Sequence, residues 1–88
     1  MGIKNRRVAF TFDDRSLQTL DQMTHEGRFA SMAETVRESL QINRTFQALA
    51  AQGFTEVILR RPATGQERTL TIPRLSLIRA RAVLRGTD

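Results

Sequence analysis

Eighty-eight residues and 10.0 kDa bound the chain to one small domain, whose core is marginal unless copies associate. Hydrophobic residues make up 40% with no apolar run of ~18, which excludes a transmembrane helix and argues against wholesale disorder; the absence of cysteine excludes disulfides, thiolate zinc sites and thiol catalysis. The net charge of +5 comes from fourteen basic and nine acidic residues, and thirteen of the fourteen are arginine, whose planar donor fork suits phosphate and guanine.

That charge is unevenly placed. Residues 2–7 hold Lys4, Arg6 and Arg7 with no acid, so +3; residues 74–88 hold Arg74, Arg79, Arg81 and Arg85 against Asp88, again +3. The middle, 8–73, has seven bases and eight acids, so −1. Basic ends on a neutral body fit a polyanionic partner, although basic ends also serve solubility alone. No N-terminal apolar h-region is present, so no secretory signal is expected and a cytoplasmic location follows. His25 has no second histidine nearby, so no metal and no cofactor are expected. No Gly-rich phosphate loop or nucleophile–base series occurs, so the chain does not read as an enzyme.

In chain order, residues 6–12 alternate Val8, Phe10 and Phe12 with Arg7, Ala9 and Thr11, the period of a strand with one buried face. Asp13 and Asp14 follow as helix-capping residues. Leu17, Leu20 and Met23 then recur at three-residue steps, predicting a helix over about 14–26 that Gly27 stops as a C′ residue. Ser31 and Glu34 have capping-box spacing and open a second helix over 32–52, ending at Gly53. Its apolar stripe changes side: Ala33, Val36 and Leu40 share one face, Ile42, Phe46 and Leu49 another. Two packing environments, or a bend near Asn43, would produce that. Residues 54–61 and 68–72 read as the strands of a hairpin around Pro62–Gln66, with a loop of about four or five residues and Pro73 as its end. The expected role of the hairpin is to pack Val57, Leu59, Leu70 and Ile72 on the Ile42/Phe46/Leu49 face. Residues 75–85 are either a short arginine-rich helix or part of a disordered end.

A lone strand ahead of two helices leaves backbone groups unpaired. The hairpin of the same chain could supply an edge. Alternatively, the same strand of a second chain pairs with it antiparallel about a twofold axis. The second arrangement buries Val8, Phe10 and Phe12 on the helices and shows Arg7, Ala9 and Thr11 twice over, on a ribbon that fits the DNA major groove.

The ordered series Arg7-Val8-Ala9-Phe10-Thr11-Phe12-Asp13-Asp14, Leu17, Leu20-Asp21, Met23, Gly27-Arg28-Phe29-Ala30-Ser31 and Glu34-Thr35-Val36-Arg37-Glu38-Ser39-Leu40 resembles the ribbon-helix-helix (Arc/MetJ-type) DNA-binding family over residues 6–42. The resemblance implies an α+β fold in which an intertwined homodimer shares a two-stranded antiparallel ribbon, here with a C-terminal β-hairpin added. It implies three segments: 1–52 for DNA binding and dimerisation, 53–73 for the hairpin, and 74–88 as a basic tail. Its dimer core would be Val8, Phe10, Phe12, Leu17, Leu20, Met23, Val36 and Leu40. Its base-reading positions are Arg7, Ala9 and Thr11. Backbone phosphates would be held by Lys4, Asn5 and Arg6, and by the N–H groups of Ser31, Met32 and Ala33 at a helix N-terminus. The family often has arginine or another polar residue where Met32 and Ala33 stand, and Ala9 offers only a small apolar contact.

The function implied is a sequence-specific transcriptional repressor of bacterial or phage type. It would bind double-stranded DNA as a homodimer or as paired dimers, and act on nucleoid DNA in the cytoplasm. The other reading is an antitoxin that represses its own operon through the N-terminal domain and masks a toxin, a protein partner, with residues 54–88.

Overall fold

Asp13 opens the first helix in the computed structural model, which describes residues 4–86; residues 1–3 and 87–88, at the ends of the expected DNA-binding domain and basic tail, lie outside it. Its backbone is extended (φ −71°, ψ 167°), and its Oδ1 accepts from the Ser16 N–H at 2.7 Å. Helix α1 runs Asp14–Glu26. The Ser16 hydrogen bond holds the Asp13 carboxyl below its ordinary pKa. The cap's stabilisation is therefore present above the unfolded-state pKa and is lost as pH falls through the lower folded-state value.

The end of α1 departs from expectation. Gly27 has a right-handed backbone (φ −80°), and the left-handed residue is Arg28 (φ 55°). Arg28 N–H donates to the His25 carbonyl (3.2 Å) and Phe29 N–H to that of Thr24 (3.0 Å), the paired bonds of a Schellman motif with Arg28 at C′. At Gly27 the constraint is one of space: a Cβ there would run into the Phe29 ring, which would have to shift.

Helix α2 spans Met32–Ala51. The expected capping box is present with one change. The Glu34 N–H donates to Ser31 Oγ (3.1 Å), while Glu34 Oε2 accepts from Ala30 N–H (3.1 Å), one residue before the cap. The helix ends in a second Schellman motif with Gly53 (φ 105°) at C′, where Phe54 N–H donates to the Leu49 carbonyl.

Strands β1 (Glu56–Arg60) and β2 (Glu67–Thr71) form an antiparallel pair with Val57 opposite Leu70 and Leu59 opposite Arg68. Arg61 N–H closes the loop on the Gln66 carbonyl (2.7 Å), and Gly65, in the left-handed region, donates back to the Arg61 carbonyl (2.8 Å). The arginine-rich segment is helical: α3 runs Pro73–Leu84, with Pro73 in the first turn, where its missing N–H costs nothing. The chain is thus α+β, with three helices and one two-stranded sheet among the described residues.

It divides into two compact units, Met1–Glu38 and Ser39–Asp88, so the boundary falls inside α2. The change of apolar stripe along α2 matches that division. Among the described residues of the first unit the one buried side chain is polar. Thr35 is 1% exposed, and its hydroxyl meets that of Thr24 at 2.8 Å. Each hydroxyl also reaches a carbonyl on its own side, Thr24 that of Leu20 (2.7 Å) and Thr35 that of Ser31 (3.2 Å), and the hydroxyl pair ties α2 to α1.

In the second unit the core is Ala50, Leu75 and Ala82. Leu75, Ile78, Arg79 and Ala82 repeat at i, i+3, i+4, i+7, which is the stripe of a helix with one buried side. Arg79 Nη1 donates to the Ala51 carbonyl at 2.9 Å, placing a cation on the C-terminal end of α2. The hairpin packs less than expected. Val57 and Ile72 are half-buried, but Leu59 (65% exposed), Leu70 and Ile42 are not covered. Val57 lines a groove with Phe46, Leu49 and, from α3, Leu75, so the strand contributes part of the expected packing and α3 adds to it.

Candidate nucleic-acid interface

Residues 4–12 carry the first group of expected contacts, Lys4, Asn5, Arg6, Arg7, Ala9 and Thr11, on one continuous exposed segment that leads into Asp13. The segment belongs to no sheet, and none of its residues makes a hydrogen bond to any other described residue. Its apolar set is as exposed as its polar set: Val8 is 68% and Phe10 72% exposed. Leu17, Met23 and Leu40 are also exposed, and only Leu20 and Val36 of the expected dimer core are half-buried.

The second group, Ser31, Met32 and Ala33, sits exposed at the N-terminus of α2, in the same compact unit as the segment. The first turn of a helix leaves backbone N–H groups without intrahelical partners, and the dipole favours an anion there. Glu34 modifies that site. Its carboxylate already takes the Ala30 N–H, so a fixed negative charge stands beside the position a phosphate would occupy. Met32 and Ala33 bring no cation to offset it.

Sequence reasoning missed the arginines of the hairpin. Arg60, Arg61 and Arg68, with Leu59 and Gln66, line an open cleft of about 220 Å³ at the closed end of the β1–β2 hairpin. The adjacent Arg60-Arg61 pair was the available signal; that Arg68 joins it depends on strand register. Arg79, counted among the basic tail, is committed to the Ala51 carbonyl.

Among the described residues no group of three or more His, Asp or Glu side chains is placed to hold a metal ion, and no helix is long and apolar enough to cross a membrane. Comparison with protein-family models, with curated proteins and with solved structures gave no match.

Proposed function

We propose that the chain is a sequence-specific DNA-binding repressor of ribbon-helix-helix type that works as a homodimer. The observation that carries this is the alternating segment 6–12, unpaired along its backbone and uncovered on its apolar side, ahead of two helices whose own apolar residues are largely uncovered. Each Val or Phe side chain gains about 1.5–3 kcal/mol on full burial. An antiparallel pairing with a second copy would cover Val8, Phe10 and Phe12 of both chains and satisfy the ladder groups at once. Arg7, Ala9 and Thr11 then face outward into the major groove. Arg7 would bond guanine O6 and N7, and Thr11 would bond a base edge or lay its methyl against thymine. Lys4, Asn5, Arg6 and the α2 N-terminus would hold phosphates. Repression is by occlusion of polymerase at the operator.

The test is a footprint on the DNA upstream of the gene at near-physiological salt. The expected result is a discrete protected site with repeated or palindromic half-sites, at which Arg7→Ala with Thr11→Ala weakens binding at least about tenfold while the fold is kept. Diffuse protection that fades as salt rises would refute base readout.

A second reading adds a protein partner. Leu59, Leu70 and Leu84 leave apolar surface on the hairpin and α3, where an antitoxin would mask its toxin. Co-purification with the product of an adjacent reading frame, lost in Leu59→Glu with Leu70→Glu, is its check.

A further inference from the structure

The two compact units differ in charge. Met1–Glu38 holds six basic and six acidic residues and is neutral, whereas Ser39–Asp88 holds eight arginines against three acids and carries the whole +5. Part of that excess is organised at the hairpin tip. Leu59 stands opposite Arg68 and Arg61 bonds Gln66, so the alternation of the pleat puts Leu59, Arg61, Gln66 and Arg68 on one face. Arg60, opposite Glu67 in the register and also at the cleft, has its Nε 3.8 Å from Glu67 Oε2. Arg61 and Arg68 are exposed, and among the described residues neither has a carboxylate partner. Two like charges on adjacent strands of one face repel each other, and an anion between them removes the repulsion. The backbone beneath them is held by the ladder and by the Gly65 and Thr64 bonds to the Arg61 carbonyl, so the two side chains start from fixed positions on the hairpin.

We propose that this tip is a second contact with duplex nucleic acid, in which Arg61 and Arg68 grip backbone phosphates and Gln66 adds an amide donor. It supplies affinity without sequence preference, and it is independent of base reading by residues 7–11. A duplex fits better than a single strand, because no aromatic ring lines the cleft to stack a base, and the exposed Phe54 lies beyond the opposite end of the hairpin.

The experiment titrates full-length protein into a labelled random-sequence duplex between 50 and 200 mM salt, the range over which counterion release is large. Arg61→Gln with Arg68→Gln is expected to reduce the slope of log K against log[salt] by about 1.8 per chain that touches the duplex, two phosphates at about 0.9 each. Arg61→Lys with Arg68→Lys is expected to restore it, and Arg7→Ala with Thr11→Ala to leave the hairpin's share in place. A glutamine variant with native circular dichroism and an unaltered slope overturns the proposal. So does displacement of the duplex by polyglutamate at equal charge concentration, which would assign the tip to an acidic protein. Base readout is judged separately, by the discrete footprint, so either idea can fail while the other stands.

Discussion

Arg28 holds a left-handed backbone that costs an L-residue with a Cβ roughly 1–2 kcal/mol. Glycine relieves that strain but adds about 0.5–1 kcal/mol of unfolded-chain entropy. Arg28→Gly is therefore expected to stabilise the protein by about 0.5–1 kcal/mol, read as a higher urea midpoint with an unchanged m-value. A lower midpoint would mean that the arginine side chain offsets its own strain. Arg79 works the other way. Its guanidinium caps the Ala51 carbonyl and lies 3.6 Å from where a Cβ on Gly53 would be, so it links α3 to the end of α2. Arg79→Met keeps the apolar stem and loses the charged hydrogen bond. A loss of about 1.5–3 kcal/mol is expected in denaturant titration, and a loss near zero would make the contact incidental. The role of Arg79 also changes what truncation means: removing residues 74–88 takes away Leu75 and Ala82 from a core, so a truncated chain reports on folding before it reports on phosphate contacts.

At the scale of elements, what the sequence makes legible is what it encodes locally. Asp13, the Ser31/Glu34 pair and Gly53 mark helix ends through bonds to residues three to five positions away, and α1 and α2 begin and end within a residue of expectation. The hairpin is legible from Pro62 to Gly65 for the same reason. Arg28 is not, because an arginine gives no sign of a left-handed backbone. The role of α3 is not, because its three arginines read as a solvated face until Leu75 and Ala82 are buried and Arg79 reaches the Ala51 carbonyl far earlier in the chain. The alternation of Arg7, Ala9 and Thr11 with Val8, Phe10 and Phe12 is legible in the sequence, but both sets are exposed in the chain, so burial does not tell one from the other. The hairpin cleft was hidden because its shared face depends on a register fixed by the turn, not on any one residue.

For the whole molecule, the decisive quantity is association. The unit Met1–Glu38 buries Thr35 and, among its described residues, no apolar side chain. In the proposed dimer a unit so poor in burial would gain most of its stability from the second copy, and its unfolding would be tied to protomer concentration. On this reading, sedimentation equilibrium gives twice 10.0 kDa at micromolar protein, and the melting temperature rises with concentration. Phe10→Asp places a carboxylate where the proposed ribbon would meet the helices, and burying an unpaired charge costs several kcal/mol. The variant is expected to lose the dimer and the cooperative transition together. Phe10→Leu keeps an apolar side chain there and is expected to retain both at reduced stability, which separates loss of packing from insertion of charge. A Phe10→Asp protein that is monomeric and melts as cooperatively as the wild type would sink the interlocked dimer. It would also remove the ribbon, because residues 7, 9 and 11 are held in a twofold array only if residues 8, 10 and 12 are buried between two chains.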